Sequence, residues 1–268
     1  MRCFARQWLL IAALLALAPS PASAEQRVKF DGAASRGGGA TIGVQGYLTK
    51  PRGDGPFPAV VLLHNCLGLP ADRRAIGERI ASWGYVALFV DDFASRGLKE
   101  TCAVDFPEGL SDAYGALDYL AAAPYVDAKA IAAIGWSQGA DTALSIASGR
   151  SASANALPDG PQFKAAAALY PPCANQSGAP MRIPTLILVG GADVVTPSAD
   201  CERLASAQPD GRSRVKLVVY PGAEHGFDES EFSGGKHLLG MELKYDRDAA
   251  GRSRAELRDF LAAKLARP

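Results

Sequence analysis

The sequence predicts an α/β fold, a mostly parallel central sheet with helices on both faces. Short continuous runs of β-branched and aliphatic residues recur from residue 58 onward, as strands buried on both faces require. Helix-length segments separate these runs, so successive strands are joined by crossovers and lie parallel. The chain has 268 residues, 48% of them hydrophobic and 21% charged, which supplies a substantial core.

"QRVKF" (26–30) and "TIGVQGYLT" (41–49) read as two early strands joined through "DGAASRGGGA" (31–40) as a flexible hairpin loop; the second alternates with period two. "PAVVLLH" (58–64) is the first buried strand. A helix follows from about Ala71 to Trp83, where Gly84 stops it. The remaining strands are "YVALFVDD" (85–92), "AIAAIG" (130–135), "FKAAAALY" (163–170), "PTLILVGG" (184–191) and "VKLVVYPG" (215–222). Helices are expected over 108–123, after Gly139, over 198–207 and over 253–266. No repeat, charge block or polar linker divides this run, so residues 25–268 read as one domain.

The N-terminus departs from this pattern. Arg2 and Arg6 precede the apolar run "WLLIAALLALA", and Ala22-Ser23-Ala24 is the small-x-small pattern of a cleavage site. The run is too short to span a bilayer. The reading is an export signal removed after Ala24, giving a periplasmic or secreted protein with no stable membrane anchor; an uncleaved anchor is the alternative. Lys+Arg and Asp+Glu are equal at 28 each, and the absence of a basic stripe argues against a nucleic-acid partner. Cys3 leaves with the signal, while Cys66, Cys102, Cys173 and Cys201 remain. In an oxidising compartment these suggest two disulfides, in one of the three pairings that four cysteines allow; free buried thiols are the alternative. No CxxC pair exists, which argues against a structural zinc site.

In open α/β sheets the ligand crevice lies at the carboxyl ends of the strands. The strand "AIAAIG" runs into Gly135-Trp136-Ser137-Gln138-Gly139, a GxSxG motif in strand–turn–helix context. Such a turn is too tight for side chains at the glycines and pushes the serine hydroxyl clear. A serine nucleophile needs a base, and only His64, His225 and His237 exist. His225, in "YPGAEHGFD" after the last core strand, suits a loop-borne base. His64 reads as a histidine hydrogen-bonded into the loop behind the site, and His237 as a surface residue. Asp193, directly after "PTLILVGG", is placed to orient the base. The order Ser137, Asp193, His225 is the order that α/β-hydrolases use. An oxyanion hole would draw one N–H from Gln138 and another from the "HNCLGL" loop, where Cys66 is the preferred donor with Asn65 close by. Cys66 as a nucleophile is the rival idea, but it lacks a nucleophile turn. A Cys66–Cys102 disulfide would rigidify the hole, and Cys173 with Cys201 makes the natural second pair.

Together "LLHNCLG", "ERIASWGYVALFVDDFASRG", "DAYGALDYL", "IAAIGWSQGA", "PTLILVGGADVVTP" and "YPGAEHGFD" resemble the dienelactone hydrolase family of α/β-hydrolases, in particular its exported members. The resemblance implies an α/β-hydrolase core without a large separate lid, and cofactor-free hydrolysis of a small-molecule ester or lactone. It makes Ser137 the nucleophile, Asp193 the acid and His225 the base. Two positions depart from the family pattern. Its usual cysteine nucleophile is Ser137 here, and its glutamate beside the oxyanion loop is matched by Asn65. The family also places a substrate-carboxylate arginine near Arg96, which otherwise reads as a surface residue or a salt-bridge partner. Trp136, beside the nucleophile, also occurs in polyester hydrolases, and Asn65, Trp136 and Arg96 are the candidate substrate-binding residues. A polyester- or cutinase-like hydrolase is therefore the second reading, and a non-catalytic binding protein on the same fold the third.

Overall fold

The computed structural model describes residues 23–33, 43–104, 106, 108–149, 159–209 and 214–266. The export-signal reading falls almost wholly outside them, as does most of the expected hairpin loop. Among the described residues no helix is long and apolar enough to cross a membrane.

Eight strands form one sheet: β1 (Gln26–Asp31), β2 (Gly43–Thr49), β3 (Phe57–Leu63), β4 (Val86–Asp91), β5 (Val126–Trp136), β6 (Ala165–Leu169), β7 (Thr185–Gly190) and β8 (Val215–Tyr220). Their spatial order is β1-β2-β4-β3-β5-β6-β7-β8. The first two pairings, β1 with β2 and β2 with β4, are antiparallel, and the rest are parallel. Among the described residues, five α-helices cover it: α1 (Arg73–Ser82), α2 (Glu108–Ala121), α3 (Gln138–Ser148), α4 (Ser198–Ser206) and α5 (Arg247–Leu265).

The apolar strand runs follow from burial on both faces. Val60 and Leu62 of β3 point into a cluster with Ile80 of α1 and Leu257 and Leu261 of α5. Val61 and Leu63, offset by one residue, join Leu117 and Leu120 of α2 on the opposite face. Ala140 and Leu144 of α3 and Leu204 of α4 cover β6 and β7 on that face.

Strand β5 begins at Val126, four residues before the expected start, and two further elements differ from the sequence reading. Helix α5 begins at Arg247, six residues before the expected start. Asp246 caps it, its carboxylate accepting the Asp248 and Ala249 N–H groups at 2.9 Å each. A small hairpin, β9 (Lys236–Leu238) and β10 (Met241–Leu243), stands where no strand was expected. The strand order reverses at β3, whose successor β4 lies on one side and β5 on the other. The switch point at the carboxyl ends of β3 and β5 is where the fold leaves a crevice.

Candidate active site

Ser137 sits in that crevice between β5 and α3, with φ 49° and ψ −111°. A non-glycine residue in this region is strained and needs its surroundings to hold it. The two glycines of the motif supply that. A Cβ on Gly135 would lie 2.0 Å from the Gly139 carbonyl oxygen, and one on Gly139 would lie 2.2 Å from the Leu63 carbonyl oxygen. The turn therefore closes backbone on backbone, and the Ser137 N–H donates to Leu169 O at 3.0 Å.

His225 Nε2 is 3.0 Å from Ser137 Oγ, and His225 Nδ1 is 2.8 Å from Asp193 Oδ2. Asp193 is held in turn. Its Oδ1 accepts the Val195 and Thr196 N–H groups at 2.8 Å each, and the Thr196 hydroxyl lies 2.8 Å from Oδ2. His225 and Asp193 are both buried. The Lys244 N–H donates to His225 O at 3.0 Å, so the β9–β10 hairpin secures the histidine loop. Phe232, Met241 and Leu243 wall the Ser137 cavity together with Asn65, Cys66, Leu67, His225 and Glu229.

The "HNCLG" loop lies beside the serine because β3 pairs with β5, Leu63 opposite Gly135. Cys66 is disulfide-bonded to Cys102 and Cys173 to Cys201, of the three pairings the one that strand order favoured. Thr101 binds both sides of the crevice. Its N–H donates to Cys66 O at 2.9 Å and its hydroxyl to Gln138 Oε1 at 2.8 Å. Gln138 opens α3, where an N–H has no partner within the helix. His64 is buried behind the loop, with Nδ1 2.7 Å from Asn65 O and Nε2 2.7 Å from Asp92 Oδ1. Both nitrogens thus face acceptors. Burial alone would lower its pKa, but Asp92 and the Asn65 carbonyl raise it above the ordinary value.

Three sequence-predicted binding residues are engaged elsewhere. Asn65 lines the Ser137 cavity, yet its Nδ2 donates to Glu229 Oε1 and Oε2 at 2.9 and 3.0 Å and its Oδ1 accepts the Leu67 N–H. Trp136 lies in the core on the α1/α5 face, stacked on Phe89, with its indole N–H on Asp228 Oδ2 at 3.0 Å. Arg96 grips Asp112 of α2 through two nitrogens, at 2.6 and 3.2 Å, and also donates to Asp92 O. It is not among the residues lining the Ser137 cavity. Asp112 is buried and Arg96 half-buried, so removing the arginine leaves the carboxyl group without its partner. Arg96→Ala is therefore expected to destabilise the fold by about 1–3 kcal/mol in chemical denaturation. The ratio of kcat/KM between anionic and neutral esters should not move; a selective loss on anionic esters would return Arg96 to substrate binding.

Sequence reasoning missed a buried group behind the serine. The Tyr170 hydroxyl lies 2.7 Å from Glu229 Oε1 and 2.9 Å from Asp228 Oδ1. One hydroxyl has one proton, so the second contact requires a proton on a carboxyl group. Burial, reinforced by the Asp228 charge, pushes Glu229 up to about 8. Glu229 is the proton carrier below that pH. Its raised folded pKa means that its contribution to stability is complete below the unfolded value and is lost as pH rises towards 8. Glu229→Gln cannot ionise, so melting temperatures of variant and parent should diverge in the variant's favour between about pH 5 and pH 9. Parallel melting profiles would assign the proton elsewhere. Nothing in "DESEF" signalled this role, beyond a position four residues after His225.

The sequence model of the Dienelactone hydrolase family matches residues 44–265. Cutinase 2 of Thermobifida cellulosilytica is 30% identical over 192 residues, covering 69% of this chain and 64% of its own length. The chain thus spans under two thirds of that cutinase, and 53% of Cutinase cut1 of Thermobifida fusca. A putative carboxymethylenebutenolidase of Methylorubrum extorquens is 26% identical, with 79% of each chain covered. Among solved structures, a dienelactone hydrolase-like promiscuous phosphotriesterase from metagenomic libraries superposes with a TM-score of 0.71 at 20% identity, over 91% of this chain and all of that one. Thermogutta terrifontis esterase 2 phosphorylated by paraoxon gives a TM-score of 0.63 at 22% identity, over 84% of this chain and 91% of its own. The chain has the α/β fold of these proteins and belongs to the dienelactone hydrolase family.

Proposed function

We propose that this protein is an exported serine hydrolase that cleaves carboxylic esters or lactones through an acyl-enzyme intermediate. The observation that carries the reading is the relay from Ser137 Oγ through His225 to Asp193, with contacts of 3.0 and 2.8 Å. Ser137 Oγ attacks the carbonyl carbon while its proton passes to His225 Nε2. Asp193 holds the Nδ1 proton and stabilises the positive ring. The carbonyl oxygen, now negative, accepts from the N–H groups of Gln138 and Cys66. His225 returns the proton to the departing alcohol, which for a lactone stays tethered to the acyl group. Water then attacks the acyl-serine, giving its proton to His225, and the acid leaves as Ser137 regains its hydrogen. The two disulfides suit an oxidising compartment. On this reading the leader ends at Ala24 and residues 25–268 form one hydrolase domain.

The test is a panel of p-nitrophenyl esters of graded acyl length combined with paraoxon labelling. Turnover should fall in proportion to phosphorylation of the peptide that carries Ser137. Turnover that persists after full labelling would overturn the assignment. A second reading, hydrolysis of insoluble polyester, is favoured by the cutinase relatives and by Val104, Val194 and Leu239, exposed by 62, 72 and 60% on loops at the carboxyl end of the sheet. Release of acid from polyester film at a rate comparable with soluble esters would support it.

A further inference from the structure

A second cavity lies on the far side of the Asn65–Glu229 pair. Both residues line it as well as the Ser137 cavity, but Ser137 and His225 do not. Its walls are apolar and aromatic, with Ile80 and Trp83 from the α1 side, Leu257 of α5, and Trp136 from the end of β5. Two arginines also line it, Arg79 of α1 and Arg254 of α5. They are close enough that burial and the Arg254 charge together hold Arg79 below its ordinary pKa.

Such an arrangement is incomplete. Two part-buried cations of like sign repel, and the repulsion grows as water is removed. Asp72 and Asp228 share the cavity and their charges partly offset those of the arginines, yet among the described residues neither carboxylate is within ion-pair distance of Arg79 or Arg254. The Asp228 oxygens are taken by the Trp136 indole and the Tyr170 hydroxyl. His64, on the same wall, is matched by Asp92. What the cavity offers is apolar area for the body of a ligand and two guanidinium groups for one anionic head. Guanidinium groups match a carboxylate especially well.

We propose that this cavity binds a monocarboxylate with an apolar body, its carboxylate shared by Arg79 and Arg254, at a site separate from Ser137. The class is the one that ester hydrolysis releases, so the protein would hold an acid product, or a related acid, against the back of its oxyanion loop. Binding does not depend on the role assigned to Ser137.

The protein carries its own reporter. It has three tryptophans, and two of them, Trp83 and Trp136, line this cavity. The third, Trp8, lies in the N-terminal segment. Hexanoate titrated into the full-length Ser137→Ala variant should change tryptophan fluorescence saturably, with a midpoint on the order of 1 mM for so small a ligand. 1-Hexanol, with the same body and no charge, should require at least tenfold more. An Arg79→Met/Arg254→Met variant should lose the hexanoate preference. If that variant fails to fold by circular dichroism, Arg254→Gln alone should weaken hexanoate binding and leave the 1-hexanol response unchanged. Equal responses to acid and alcohol, or unaltered hexanoate affinity in the arginine variants, would overturn the proposal. Because the titration is read without the serine hydroxyl, its failure is distinct from a failure of the esterase reading, which the p-nitrophenyl panel decides.

Discussion

Ser137→Ala is expected to lower kcat for p-nitrophenyl butyrate by about a millionfold, the scale seen when a serine nucleophile is removed from such a relay. KM and melting temperature should change little. Alanine keeps the Cβ, so the strained backbone at φ 49° is no worse off, and the lost hydroxyl faces a cavity rather than the core. The residual rate would come from binding and the oxyanion donors. Undiminished turnover would require another nucleophile. Cys66, the rival on sequence grounds, is not available because its sulfur is bonded to Cys102.

Asp193→Asn should reduce kcat by about ten-thousandfold with the fold intact. The surroundings fix which way the amide would turn. Oδ1 accepts two backbone N–H groups, from Val195 and Thr196, so the amide oxygen takes that place. Its NH2 group then faces His225 Nδ1, where Oδ2 stood at 2.8 Å. The imidazole is driven to the tautomer with its proton on Nε2, and it can no longer accept one from Ser137. The defect should shrink at high pH if hydroxide replaces the base, and the pH–rate profile reads this directly. A loss of less than tenfold would mean that Asp193 does not orient the base.

Much of the fold was legible because burial on both faces leaves an unmistakable run of apolar residues, as in "PAVVLLH" and "PTLILVGG". The grouping of Ser137, Asp193 and His225 was legible for a related reason. Each follows a strand of a parallel sheet, so local sequence places all three at one end. What remained hidden depends on partners distant in sequence. Arg96 finds Asp112 one helix later, and Asn65 finds Glu229 across most of the chain. Neither pairing leaves a local pattern. The Tyr170–Asp228–Glu229 group joins a strand end to a loop by the same route. The early start of α5 was masked by exposed Gly251, which costs about 1 kcal/mol in a helix interior. The Asp246 cap and a long buried face outweigh it. The hairpin at 236–243 was hidden because each strand is only three residues long, too short for a period to show, and by a turn that sets Leu239 at φ 52°.

The glycine contact at the turn reaches further than the serine it exposes. Gly139 rests on the carbonyl oxygens of both Leu63 and His64, the last residues before the loop that carries Cys66. The first residues of α3 and the end of β3 are therefore spaced by main chain against main chain, with no side chain between them to change rotamer. The distance between the Gln138 and Cys66 amides is set like the gap of a machinist's gauge. Side chains around the pocket could therefore be replaced without moving the two amides that, on the proposed function, receive the negative oxygen.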